Sequence, residues 1–230
     1  NTNTWFLRDI ESYSATLPPS ESKFLTEAEE KEIALQIDMD RKEYARIIAA
    51  DPVLLDEFAA LYHPDSSRAL DIDGVATRAG QQKADIYRLR AEIAETAIFL
   101  SHRLKRAESG KPVDAKTNEM QEEFAGLYVD VWMRYKVQKD FTNWAQEEDA
   151  VKESGVGGAL FFLQQKVKGS LEYLLIKNAP FVYEKAKSFF ARNVSLSDRV
   201  GEAIGGLLNG HDKWDHKSSR YKSYGVLWIT

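Results

Sequence analysis

The sequence predicts an all-α protein. Apolar residues recur at three- and four-residue spacing over most of the chain, which is the period of an amphipathic helix. Runs rich in β-branched and aromatic residues are nearly absent, and the stretch with that composition, Tyr224–Thr230, has no partner strand in the pattern. The 230 residues are 43% hydrophobic, enough for a sizeable core in one large domain or two modest ones.

Capping residues mark the first two helices. Thr26 and Glu29 have the spacing of a capping box, in which the hydroxyl accepts a backbone N–H and the carboxylate reaches back. Asp51-Pro52 starts a second helix, because Asp caps well and Pro is tolerated at the first helical position. That helix is expected to reach about Tyr62, and the turn-forming run His63–Arg68 predicts a loop after it.

Periodic apolar residues predict the next two helices. One runs from about Gln81 to Arg106 and is ended by Ser109-Gly-Lys-Pro112. Another runs from Phe124 to Tyr135. The aromatic residues of this second helix are expected to pack in the core, since their spacing alone explains them; they are Tyr128, Trp132 and Tyr135.

Two further helices are expected near the C-terminal end. A long one runs from about Gly158 to Phe190, and Pro180 inside it predicts a kink or a junction near Asn178. A capped helix follows from about Ser197 to Asn209. The glycine-rich run before Gly158 is expected to be a loop or a helix start, because it lacks the ending of a phosphate-binding loop.

Composition excludes several function classes. The absence of cysteine rules out disulfides and thiolate zinc sites and suits a reducing cytoplasm. No apolar run approaches the roughly 20 residues of a membrane span, and no signal-peptide pattern is present, so we expect no membrane partner. Asp71–Gly74 departs from a calcium loop at its sixth and twelfth positions. No nucleophile sits beside a base, so neither an enzyme nor a metal or cofactor site is expected.

Charge is distributed unevenly along the chain. The net charge of −5 argues against indiscriminate coating of nucleic acid. From His211 to Thr230, however, four cations oppose two carboxylates, so this end is about +2 and the rest about −7. Cations interleaved with Trp and Tyr are the chemistry of a surface that stacks unpaired bases. One focused nucleic-acid contact is therefore expected on a protein whose main partner is another protein.

Two blocks of the chain carry a family pattern. The first joins Trp5–Ile10 to Leu25–Ala34, and the second extends from Asn178 to Tyr224. They resemble, respectively, the segment N-terminal to region 2 and region 2 itself in primary-type members of the sigma-70 family, the promoter-recognition subunits of bacterial RNA polymerase. The resemblance implies that the first block packs on region 2. It also places Leu7 and Arg8 near the DNA strand just downstream of the −10 element.

The second block implies a polymerase contact. In the family, the second helix of region 2 binds the coiled coil of the clamp in the largest subunit of core RNA polymerase. Asp198 and Glu202 match the acidic positions of that helix. Gly201 stands where the family usually has Gln, and Ile204 where it usually has Asn. These four residues form the expected polymerase-binding set.

The same block implies capture of a promoter base. Tyr221-Lys-Ser-Tyr224 is similar to the family's melting motif, whose last Tyr stacks on the flipped adenine of the −10 element, so Tyr224 inherits that role. Stacking one unpaired base gains about 1–3 kcal/mol, comparable to the cost of unstacking it. The family's Trp pair appears only as Leu227-Trp228. The implied DNA-binding set is Leu7, Arg8, Asn178, Trp214, Lys217, Arg220, Tyr221, Lys222, Ser223, Tyr224 and Trp228.

The resemblance also divides the chain into three parts. Residues 1–44 form the N-terminal sigma segment, 45–168 a helical insertion, and 169–230 the region 2 core. Regions 3 and 4 are missing, so a fragment of a longer cytoplasmic protein is expected, with an anti-sigma or other regulatory protein as a further partner. A competing interpretation is an all-α module that mimics region 2 and occupies the clamp without opening DNA. A base pocket distinguishes the two, since a mimic has no need of one.

Overall fold

The computed structural model describes residues 25–71, 74–77, 83–108, 114–188 and 194–211, together with positions 214, 220, 221, 223 and 225. Over these residues the fold is all-α, as the sequence predicts, with eight helices and two three-residue strands. The elements are α1 (Glu27–Ala50), α2 (Pro52–Tyr62), β1 (Val75–Thr77), α3 (Lys83–Glu108), α4 (Ala115–Asp130), β2 (Val131–Met133), α5 (Tyr135–Glu147), α6 (Asp149–Lys152), α7 (Val156–Ser188) and α8 (Leu196–His211).

The chain forms two compact units. Of the described residues, unit 1 contains 25–35 and those from Gly169 onward, and unit 2 contains Gln36–Lys168. The chain passes from one unit to the other after Leu35 and after Lys168. The three parts that the resemblance implies, 1–44, 45–168 and 169–230, stay a prediction.

The core of unit 2 is built around stacked aromatic rings. Helix α3 packs against α2 and α4. Phe58 of α2 stacks on Tyr62 with ring centroids 4.1 Å apart, and meets Phe124 edge to face at 5.0 Å. Aromatic pairs of this geometry stabilise a core beyond the area that they bury. Tyr44 of α1 closes the core, its hydroxyl hydrogen-bonded to Thr142 Oγ1 at 2.9 Å.

The helix expected to continue from Phe124 to Tyr135 ends at Asp130, so that part of the prediction is wrong. Val131–Met133 instead forms β2, which pairs antiparallel with β1 in the register Val75–Met133 and Thr77–Val131. All three residues of β2 are buried. Backbone pairing with β1 holds these residues in a strand, although the spacing of the apolar residues also fits a helix. Tyr128 and Trp132 are core residues, as expected.

The predicted helix starts are confirmed. Thr26 Oγ1 accepts the Glu29 N–H, and the Glu29 carboxylate accepts the Thr26 N–H at 2.7 Å. Asp51 accepts from the backbone N–H groups of Val53 and Leu54. These bonds satisfy donors that the first turn of a helix would otherwise leave unpaired.

Helix α7 begins where its glycine-rich start predicts. An added Cβ at Gly157 would lie 2.9 Å from the Ala145 carbonyl oxygen, so the start of α7 lies directly against the end of α5. The helix then runs through Pro180 as one element, so the expected alternative of a junction between two helices is wrong. Proline removes one N–H donor from the interior of a helix, and a 33-residue helix with a buried face tolerates that loss. In unit 1 this face is Leu171, Leu174, Leu175, Ala179, Val182 and Ala186.

Candidate functional site

Two aromatic residues of the expected DNA-binding set form a buried pair. Trp214 is 6% exposed and Tyr221 is fully buried, and their rings meet edge to face with centroids 5.2 Å apart. A base needs an open ring face on which to stack. In this conformation the two buried rings pack against each other and do not offer a base an open face.

Arg220, one of the cations of the same segment, is held by an ion pair. Arg220 Nε donates to Glu30 Oε2 at 3.2 Å, and Nη2 donates to Glu30 Oε1 at 3.4 Å. The same Nη2 donates to the Leu25 carbonyl oxygen at 3.1 Å. Hydrogen bonding and attraction to Glu30 raise the pKa of Arg220. Arg220 thus ties the C-terminal segment to the beginning of α1.

Gly225, four residues after Tyr221, makes a third contact of this segment. Tyr221, Ser223 and Gly225 are helical, and Gly225 is buried. An added Cβ at Gly225 would lie 2.8 Å from Leu207 Cδ1, so this backbone packs directly on α8. Ser223 is exposed and is available to a ligand.

Asn178 lies inside unit 1. Its side chain is 1% exposed, and Nδ2 donates to the Leu174 carbonyl oxygen at 2.8 Å, one turn back along α7. The Oδ1 atom has no hydrogen-bond partner among the described residues. A direct DNA contact by Asn178 would require this side chain to leave its buried position.

The expected polymerase-binding helix presents an acidic face. Asp198 and Glu202 are both exposed on α8 and, four residues apart, lie one above the other on the helix surface. Ser195 caps α8. The Asp198 backbone N–H donates to Ser195 Oγ at 3.1 Å, and the Ser195 hydroxyl donates to Asp198 Oδ2 at 2.7 Å.

The opposite side of α8 is apolar and buried. Ile204 is 3% exposed and packs inside unit 1 together with Val200 and Leu207. Ile204 is thus a core residue in this conformation rather than a contact for a partner. Gly201 is partly exposed, and an added Cβ there would have no atom within 4 Å, so the surface beside Glu202 is open.

The structure brings part of the predicted set together in unit 1. It joins the segment around Arg220 and Tyr221 to α8 and to the start of α1. The first block of the resemblance thus contributes Leu25 and Glu30 beside the second block. The remaining expected residues lie outside the described part of the chain; they are Leu7, Arg8, Lys217, Lys222, Tyr224 and Trp228.

Glu30 is the residue that sequence reasoning missed. It belongs to an acidic run, Glu27–Glu32, in which residue type alone does not distinguish Glu30 from its neighbours. Its position is the available signal, since it follows the capping box by one residue and precedes the apolar Ile33 and Ala34. A charged residue at an inward position of a helix calls for an opposite charge nearby.

No model of a known protein family matches this chain, and no curated protein matches it. Among the described residues, no helix is long and apolar enough to cross a membrane. Within the same ranges, no group of three or more histidine and carboxylate side chains could hold a metal ion.

Proposed function

We propose that this chain is a transcription initiation factor of the sigma type, acting by binding rather than catalysis in the bacterial cytoplasm. Helix α8 binds the coiled coil of the clamp in the largest subunit of core RNA polymerase. The C-terminal segment recognises and melts the promoter −10 element by capturing a flipped base of the non-template strand.

The observation that carries this proposal is the acidic face of α8. Asp198 and Glu202 are exposed one turn apart, while the other side of the helix is packed into unit 1. Two carboxylates on a ridge of this kind can pair with basic residues that repeat at helical spacing on a coiled coil. The partly exposed Gly201 leaves room for a second helix to approach closely.

The contacts of the C-terminal segment support the DNA-binding half of the proposal. Arg220, Tyr221 and Gly225 are fixed to α1, Trp214 and α8 respectively. A fixed segment loses little conformational freedom when it binds a strand, and such preorganisation raises affinity. Stacking then falls to Tyr224, with the exposed Ser223 beside it in sequence.

Co-purification with core RNA polymerase tests the polymerase contact. The double variant Asp198→Lys/Glu202→Lys reverses the acidic face, and we expect it to abolish co-purification while helix content is retained. Glu119→Lys/Glu123→Lys is the matched control, because it makes the same change at two exposed residues with the same spacing on α4. Ser195→Ala controls for loss of the helix cap, since it keeps both carboxylates.

Both controls should bind polymerase like the unchanged chain. If reversal of the acidic face leaves binding intact, α8 is not the polymerase contact. If the control pair on α4 abolishes binding equally, the effect is one of net charge and the assignment to α8 fails.

The mimic of region 2 remains a second candidate, and specific observations favour it. Trp214 and Tyr221 are buried, and the guanidinium of Arg220 is already engaged by Glu30 and Leu25. A protein that only occupies the clamp would need no open aromatic face in this segment. Binding of a −10-like single strand in the presence of core polymerase separates the two functions.

A further inference from the structure

The Glu30 carboxylate lies in an unusual place for a charge. Its side chain is 4% exposed, whereas its partner Arg220 is 42% exposed. Burying a carboxylate is costly unless an opposite charge and hydrogen bonds accompany it. Both oxygens of Glu30 accept from the guanidinium of Arg220. The buried Glu30 therefore fixes the position of Arg220 and of the segment that contains it.

The geometry of the pair fixes the orientation of the Arg220 guanidinium as well as its distance from Glu30. Two nitrogens of one planar guanidinium engage Glu30, and one of them also donates to the Leu25 carbonyl oxygen. A fork of donors held at several acceptors restrains the orientation of the arginine, which a single point charge would not do. Tyr221, the next residue, is then directed into its contact with Trp214.

From this arrangement we infer that Glu30 is a positioning residue for the base-capturing segment and acts through Arg220. The inference rests on the proposed function and adds a residue that the family resemblance does not assign. Glu30 touches neither DNA nor polymerase in this role. It sets the path of the backbone from Arg220 to Gly225, and so the place at which the segment meets a strand.

The test is the affinity of a fluorescent −10-like single strand for the chain bound to core RNA polymerase. Glu30→Gln keeps the shape of the side chain and an acceptor but removes the charge. We expect it to weaken strand binding about tenfold while polymerase binding is unchanged, because Asp198 and Glu202 are exposed on α8, whereas the segment packs on the buried side of that helix at Leu207. Glu32→Gln is the matched control, an exposed carboxylate two residues away on the same helix, and should bind like the unchanged chain.

A second measurement separates positioning from general destabilisation. Tyr224→Ala is combined with Glu30→Gln. The loss of strand affinity that Tyr224→Ala causes should be several-fold smaller in the Glu30→Gln background, because a misplaced segment no longer positions Tyr224 against the strand. Arg220→Gln removes the more exposed partner of the ion pair and should reduce the loss of strand affinity caused by Tyr224→Ala in the same way. It also serves if Glu30→Gln does not fold. Combining Glu30→Gln with Arg220→Gln should weaken binding no further than Arg220→Gln alone.

Unchanged strand affinity in Glu30→Gln overturns the inference. An undiminished Tyr224 penalty in both backgrounds also overturns it, since Glu30 would then be merely structural. If the unchanged chain binds no strand on polymerase, the proposed DNA-binding function fails first and the inference fails with it. That outcome is distinct, because it appears before any substitution is made.

Discussion

Trp214 and Tyr221 meet with their ring planes at 83° and their centroids 5.2 Å apart, and Tyr221 is fully buried. The pair belongs to a segment whose composition predicts base stacking. An edge-to-face contact uses the positive edge of one ring against the negative face of the other. Trp214 and Tyr221, aromatic side chains of the kind that stack on bases, thus contact each other here and fix the segment to which they belong.

Tyr221→Ala should lower the free energy of unfolding of unit 1 by about 3–5 kcal/mol, as for other large buried aromatic residues. Tyr173→Ala is the matched control in the same unit. That ring is 46% exposed and contacts Lys177 alongside it, so its removal should cost less than about 1 kcal/mol. Urea unfolding followed by helix content measures both. Equal costs would show that Tyr221 is not a core residue in solution.

Gly157 and Gly158 should respond to alanine in opposite directions. An added Cβ at Gly157 meets the backbone of α5 at 2.9 Å, so Gly157→Ala should destabilise the protein by about 1–3 kcal/mol. No atom lies within 4 Å of an added Cβ at Gly158, and that residue is exposed on α7. Gly158→Ala should stabilise by about 0.5–1 kcal/mol through helix propensity. Thermal unfolding distinguishes them, and a loss of stability at Gly158 would contradict the described start of α7.

Asp114 should titrate far below an ordinary carboxyl. Hydrogen bonds from Thr117, followed by the one from Arg103, lower the pKa of Asp114 from 3.8 to about 2. Because the folded value lies below the unfolded one, the stabilisation is fully present above about pH 4 and is lost as the pH falls towards 2. An NMR titration of the side-chain carboxyl carbon measures this value.

Thr117→Val should move the midpoint of Asp114 upward, since it removes the largest cause of the shift. Thr96→Val is the control, because the Thr96 hydroxyl donates to the Glu92 carbonyl oxygen within α3 and not to Asp114. A midpoint near 3.8 in the unchanged chain would show that Asp114 does not accept these hydrogen bonds in solution.

The helix starts could be predicted from sequence because capping is local. Thr26 with Glu29, and Asp51 with Pro52, act within one turn, so their spacing contains the whole interaction. The strand Val131–Met133 could not be predicted in this way. Its partner, Val75–Thr77, lies more than fifty residues away, and pairing with it overrides helical spacing.

The candidate site likewise contains local features that the sequence predicts and long-range contacts that it does not. The exposed pair Asp198 and Glu202 follows from helical spacing alone. The ion pair between Glu30 and Arg220 joins residues 190 positions apart, and no local pattern contains it. The burial of Trp214 and Tyr221 likewise depends on tertiary packing in unit 1, which the local sequence does not contain. Composition identified these side chains without fixing which way they face.

Base capture is measured most directly by fluorescence anisotropy of a −10-like single strand with the chain bound to core RNA polymerase. Tyr224→Ala should weaken strand binding by about 1–3 kcal/mol, whereas polymerase binding persists. Tyr87→Ala, which removes an exposed tyrosine from α3 in unit 2, is the matched control and should have no effect. Lys217→Ala should weaken binding with little dependence on sequence and lower the salt slope by about one. If Tyr224→Ala binds the strand as tightly as the unchanged chain while polymerase binding persists, the chain does not capture a base through Tyr224, and the clamp-occupying mimic explains it better.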